Sequence, residues 1–385
     1  MKILILADTN LLSDSRIRRH IFSLKDEYEL IVTGTENPNI DDNITFIDCS
    51  KKAISEEILQ EKRKILRERI KNEKYDEVYW NESYIIELYN TLKEYKFDLV
   101  MANDISMVPL GVRLAKENNA KIIADMHEYA PKEFEDLEEW RRVKQKYIYY
   151  LCNTYLIQCD EIITVTKGIA KEYEKEFNIE VRNIITNAPK YKELNVKKTR
   201  QNNIRIVYHG AMNKSRHLEY LVDIVDRLDD RFKLYFYLIE TNNKDEYSKK
   251  LIKKIENSKK CLLKRAVSPE EIVEEIHKYD IGIFFLKPVN FNYQYALPNK
   301  FFEFIQARLA VAIGPSIEMK NYIDKYNCGI ISDDFSCESM IDKLNNLTAD
   351  DIDNYKINCC KLSEEENYEK NSVILKNIVM NLLKD

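Results

Sequence analysis

Short aliphatic runs that are apolar on both faces, set between longer stretches of helical period, limit this chain more than any other feature. Runs at 3–7, 29–33, 44–48, 98–102, 121–125, 162–165 and 184–186 alternate with helical patterns near 15–26, 52–72, 83–95, 107–117, 134–158 and 167–176. A strand without a polar face is covered on both sides, and strands separated by helices pair in parallel. The first half therefore predicts a doubly wound sheet. The polar stretch KELNVKKTRQN at 192–202 reads as a connector. Beyond it the alternation restarts, with strands at 204–208, 233–239, 281–285, 310–313 and 329–331 and helices near 216–229, 244–257, 268–278, 300–308, 317–326 and 336–347. The expected fold class is α/β with two doubly wound domains, 1–192 and 193–363. The tail 364–385 carries Val373, Ile374, Ile378, Val379, Leu382 and Leu383 at helical spacing, so an amphipathic helix is expected to pack back on the first domain. Ligands of open α/β sheets bind beyond the carboxyl ends of the strands, which places the expected site in a cleft between the two domains.

Composition removes several classes of function. The net charge is −5, so the overall field offers no bulk attraction to nucleic acid or acidic lipid, and any anionic ligand must be met locally. The longest apolar runs, such as 281–286, fall far short of the ~20 residues of a membrane helix. The apolar stretch 3–7 is too brief for the ~7 to 15 residue core of a secretory signal, and a cytoplasmic location is expected. Eight cysteines with no C-x-x-C pattern read as reduced, mostly buried thiols. The single D-x-D, Asp351-Ile352-Asp353, and the pairs Asp41-Asp42 and Asp229-Asp230 read as surface loops.

The stretch 295–315, YALPNKFFEFIQARLAVAIGP, carries the densest chemical information. Pro298 suits a helix start, where its missing N–H costs nothing. Asn299 and Lys300 then fall in the first turn, where a cation opposes the helix dipole unless an anion sits nearby. Backbone N–H groups and the Lys300 ammonium together would form a phosphate site. Glu303, three residues on, shares a helical face with Lys300 and could take the hydroxyls of a ribose. Read without its neighbours, the pair is an ordinary solvated i,i+3 Lys–Glu contact. Phe301, Phe302, Phe304 and Ile305 leave such a pair little accidental room.

Here the sequence resembles the GT-B glycosyltransferases, specifically glycosyltransferase family 4, whose donor site reads LPNKxFEY. Leu297, Pro298, Asn299, Lys300, Phe302 and Glu303 match that pattern, and other segments follow in the family's order. IVYHGAMNKSRHLE at 206–219 resembles the strand, glycine turn and basic residue that begin the second domain. DMHEY at 125–129 resembles the D-x-H-E segment, 162–166 with Asn187-Ala188-Pro189 resembles the I-T-V-T and N-x-P elements, and DIGIFFLKP at 280–288 resembles the strand and proline before the donor loop.

The resemblance implies that Arg216 and Lys300 are cations on the donor diphosphate, that Gly210 admits backbone to the phosphates, and that Glu303 holds the ribose, with Asn299 and Glu318 nearby. His209 ends a strand beside them, as a ligand or as a packed ring. His127 is the leading candidate in the first domain, following the strand 121–125 at its carboxyl end; the family histidine lies near the transferred sugar. The alternative is a histidine packed beneath a loop. Asp125 and Glu128 would orient that ring or contact acceptor. Asp104 reads either as an acceptor contact or as the N-cap of the helix near Met107, and capping is preferred. Arg16 and Arg19 either contact an anionic acceptor or form a surface charge run. The sequence departs from the family at Tyr295, where many members carry a glutamate eight residues before the one matched by Glu303, which leaves the sugar undefined.

The resemblance thus implies a retaining, metal-independent transfer of a sugar from a nucleoside diphosphate, UDP foremost, to a bacterial surface glycan, glycolipid or glycoprotein. No cofactor is expected, since the nucleotide sugar is itself a substrate. The alternatives are a nucleotide-sugar epimerase or phosphorylase of the same fold, and a non-catalytic nucleotide-sugar-binding protein. Soluble transferases of this type work on membrane-linked substrates, so a peripheral contact at the inner face of the membrane is expected. The tyrosine-rich helix 141–157 reads as a core helix in preference to a bilayer contact.

Overall fold

The computed structural model describes residues 1–41, 43–51, 53–239 and 246–384. Asp42 of the expected loop, and the expected helix starts at 52 and 244, lie outside them. The chain divides into two compact units. The first comprises Met1–Thr186, Asn290–Asn292 and the stretch from Ser372, and the second comprises Asn187–Val289 and Tyr293–Asn371.

In the first unit, seven parallel strands are ordered β3-β2-β1-β4-β5-β6-β7. They are β1 Lys2–Leu6, β2 Glu29–Gly34, β3 Thr45–Asp48, β4 Leu99–Asn103, β5 Lys121–Met126, β6 Glu161–Thr164 and β7 Asn183–Ile184. The strand order reverses between β1 and β4, which opens a crevice beyond their carboxyl ends. The helix Ser15–Leu24 is started by Asp14, whose carboxylate accepts from the Arg16 and Ile17 N–H groups. At the chain's end, Leu375, Ile378 and Val379 of the helix Tyr368–Lys384 enter the same core as Leu24 and Leu30.

Six parallel strands in the second unit are ordered β10-β9-β8-β11-β12-β13. These are β8 Ile204–Ala211, β9 Phe232–Ile239, β10 Cys261–Lys264, β11 Ile281–Phe284, β12 Ala310–Ile313 and β13 Gly329–Ile331. Here the reversal falls between β8 and β11. The helix Asn299–Gln306 is buried on most sides, because Phe301, Phe302, Phe304 and Ile305 are all 0% exposed. Its close approach to β11 depends on Gly282, where a Cβ would stand 2.2 Å from Phe304 Cγ.

Three sequence expectations need correction. The second unit begins at Asn187, not at 193, because Ala188 joins its core and the Arg308 guanidinium takes the Lys192 carbonyl at 2.6 Å. The connector's backbone groups are thus satisfied by that unit. Asp351-Ile352-Asp353 is no loop. It lies in the first turn of the helix Ala349–Glu365, where Asp351 and Thr348 form a reciprocal capping box. The third concerns Asp104 and is set out with its site. All eight cysteines are free thiols, five of them buried, and among the described residues no helix is long and apolar enough to cross a membrane.

Candidate functional site

Two groups of residues stand at the two strand-order reversals, one in each unit. In the second unit His209 and Gly210 lie in the last three residues of β8. Gly210 has φ +123°, a left-handed conformation that favours glycine, and a Cβ built on it would sit 3.2 Å from Lys300 Nζ and 3.5 Å from Arg216 Nη1. Two cations brought by different elements therefore converge over one bare stretch of backbone. Arg216 comes from the short turn Lys214–Arg216, which Asn213 starts by accepting from the Ser215 N–H. Lys300 comes from the first turn of Asn299–Gln306 and is 7% exposed. Its ammonium also lies 4.9 Å from the Phe284 ring centre at the end of β11 and 5.5 Å from that of Tyr208. Burial and the Arg216 charge, opposed by Glu303, lower its pKa to about 7.

Glu303 Oε2 stands 3.3 Å from His209 Nε2. Burial first, then Lys300 and Arg216, push His209 well below its ordinary range, so the ring is neutral. It is packed edge-on against Phe304, with centroids 5.3 Å apart. Asn299 and Tyr295 are half-buried, and Glu318 is buried in the first turn of the helix Ile317–Tyr326. What this group offers is two cations converging at a helix start, with one carboxylate beside them, fit for a diphosphate and a vicinal diol.

The first unit's group is a chain of alternating charges. Asp125, fully buried at the end of β5, accepts from Arg16 Nε at 2.8 Å and Nη2 at 2.6 Å, and Arg16 Nη1 donates to the Ile185 carbonyl at 2.7 Å. His127 Nε2 lies 3.2 Å from Asp125 Oδ2, and its Nδ1 lies 3.2 Å from Asp104 Oδ2. Burial works against a charged ring, yet the two carboxylates raise His127 to about 10. His20, also near Asp125, is lowered to about 3, first by burial. Both ring nitrogens of His127 therefore face carboxylates, which favours the charged form of the ring. Asp104 does not cap its helix as expected. It is the first helical residue, with φ 59°, and its carboxylate turns to His127 instead.

Beyond Asp104 opens a cavity of about 610 Å³, walled by Asp8, Asp104, His127, Glu128 and Glu133 together with Tyr79, Tyr84 and Tyr147. Burial, then Glu133 and Asp104, raise Glu128 to about 7, and burial likewise raises Glu133 to about 7. The structure thus brings His127, Asp104 and Glu128 to one wall. Asp125 sits behind that wall, and Arg16 is engaged inside the fold. Arg19 is half-buried on the first helix and is not among the described lining residues. Asp8, Glu133 and the three tyrosines were missed by sequence reasoning. Only Asp8, directly after β1 at the reversal, carried a readable signal.

No family model and no curated protein matches this sequence. Solved structures do. The Anabaena HepE structure in complex with UDP and glucose superposes with a TM-score of 0.70 at 10% identity, covering 99% of this chain and 100% of that one. WaaG, a glycosyltransferase involved in lipopolysaccharide biosynthesis, gives 0.67 at 12% identity over 97% and 99%. The fold is GT-B. An E. coli trehalose-6-phosphate structure bound with UDP-2-fluoro glucose adds a third GT-B likeness, with a TM-score of 0.67 at 9% identity over 100% and 99%. At such identities the likeness carries the fold and not the chemistry.

Proposed function

We propose that this chain is a glycosyltransferase that moves a sugar from a nucleoside diphosphate donor, UDP-linked foremost, to a hydroxyl-bearing glycan or glycolipid acceptor. The observation that carries the reading is the convergence of Lys300 Nζ and Arg216 Nη1 over Gly210. As the glycosidic bond breaks, negative charge grows on the leaving diphosphate. Cations held in place by the fold stabilise that charge without reorganising, which lowers the barrier. Glu303 would take the ribose hydroxyls. The charge is met by side chains, so no step in this reading needs a metal ion or cofactor. Transfer of the acceptor proton to the departing phosphate, with retention of configuration, is what the sequence resemblance implies, and this reading adopts both. The first unit's cavity would hold the acceptor. HepE was solved with UDP-glucose and WaaG acts in lipopolysaccharide biosynthesis, which supports a UDP donor and a surface-glycan acceptor.

The test is a thermal-shift screen of nucleotide sugars, followed by product analysis with the best binder. The wild-type chain should be stabilised by a nucleoside diphosphate sugar, and Lys300→Ala and Glu303→Ala should each abolish that shift with circular dichroism unchanged. Normal donor binding by both variants would overturn the site. A sugar isomerised without any acceptor would favour an epimerase.

A further inference from the structure

The second unit holds a hollow of about 490 Å³ that none of the candidate donor residues lines. Its floor is tyrosine. Tyr235 and Tyr237 lie two residues apart on β9 and so share a face, and Tyr279 precedes β11. The Tyr237 hydroxyl lies 2.8 Å from that of Tyr279 and donates to Glu275 Oε1 at 2.6 Å, which fixes both rings. Around the floor stand Arg205, Lys264 and Arg265, while Lys278 is ion-paired with the single lining carboxylate, Glu275. In a chain of net charge −5 that is a local concentration of the minority sign.

Of these cations, Arg205 is paired behind the hollow. The buried Asp280 carboxylate is shared by two cations, Arg205 Nε at 3.1 Å and Lys356 Nζ at 3.2 Å. Arg205, 31% exposed, reaches from that pairing to the rim of the hollow. The Tyr235 and Tyr279 rings pack at 4.8 Å between centroids, with Lys264 Nζ 5.6 Å from the first and Lys278 Nζ 5.6 Å from the second, so ring edges and cations share one surface.

We propose that this hollow binds an anionic saccharide, with sugar rings against Tyr235 and Tyr279 and carboxylate or phosphate groups on Arg205, Lys264 and Arg265. The C–H bonds of a pyranose face carry partial positive charge and suit the electron-rich face of a tyrosine ring. Guanidinium and ammonium groups suit the anions. A bare phosphate would leave the ring faces unused, and the volume falls in the range of roughly 300 to 1,000 Å³ that houses small-molecule ligands. The assignment stands whether or not the donor reading is correct.

The experiment titrates the full chain with a uronate-containing hyaluronan hexasaccharide, neutral chitohexaose, inorganic phosphate and phosphatidylglycerol vesicles. Wild type should bind the acidic hexasaccharide about tenfold more tightly than the neutral one. The exposed double variant Lys264→Glu/Arg265→Glu should lose about tenfold of that affinity, as expected for lost charge-assisted contacts. Tyr235→Ser should also weaken the hexasaccharide while phosphate binding is unchanged. Donor-induced thermal shifts should persist in all variants, which separates this site from the donor site. Equal hexasaccharide affinity in wild type and double variant would overturn the proposal. So would phosphate binding as tight as that of the hexasaccharide, or vesicle binding without hexasaccharide binding.

Discussion

A buried ammonium beside a guanidinium holds its proton weakly, and a diphosphate arriving next to Lys300 reverses that balance. The empty site has Lys300 near 7, and the bound anion favours the charged form, so donor binding takes up a proton above that pH. Donor affinity is expected to fall by up to about tenfold per pH unit above 7. Calorimetry in buffers of different ionisation enthalpy reads the proton directly. Lys300→Met removes the cost of the buried charge, so the donor-free melting temperature should rise, by about 2–4 °C for each kcal/mol recovered, while donor binding is lost. In the first unit the sign is the opposite. His127 is raised to about 10, so its contribution to stability is complete below about 6.5 and is lost as pH rises through 10. Chemical denaturation between pH 7 and 11 should show that loss in wild type and not in His127→Gln. Lys300 and Glu303 stood out as donor candidates because they lie within four positions in a run that matches the family's LPNK pattern, set among apolar residues. The Arg16–Asp125 pair was not legible, since 109 positions separate its partners, and Arg16 therefore read as either a contact to an anionic acceptor or part of a surface charge run.

The helix that carries Lys300 is positioned by what β11 lacks. Gly282→Ala would place a methyl 2.2 Å from Phe304 Cγ in a fully packed interior. The expected cost is about 1–3 kcal/mol, with donor affinity reduced as the helix shifts, and Phe304→Leu in the same chain should restore part of both. Urea unfolding and a donor titration on the single and double variants check this. Elements were readable where both faces are apolar, as at β1, β4 and β11. They were unreadable where a strand lies at a sheet edge. β10 is bordered by lysines and has two of its four residues exposed, and the sequence reading passed over it. The helix Ala349–Glu365 escaped because its first turn is acidic, which suits the helix dipole yet resembles a solvated loop.

Across the whole chain, the last helix closes the core of the unit that the first strand begins. Val379 is 0% exposed in a cluster with Leu24 and Leu30. Val379→Asp buries an unpaired charge there and should lower the melting transition of the first unit, while a nucleoside diphosphate sugar still stabilises the second. Differential scanning calorimetry with and without donor separates the two transitions. Hydrophobic period alone determined two parallel α/β sheets and a returning terminal helix, because burial on both faces is written locally at every strand. A short run of residues around Lys300 determined the donor candidate for the same reason. Tertiary structure alone decided which charges meet: the Arg16–Asp125–His127–Asp104 chain, the acidic tyrosine-walled cavity, and the two cations on Asp280. Each depends on pairings between distant strands, and the strength of a buried charge pair is set by distance and dielectric, neither of which is encoded near the residues themselves.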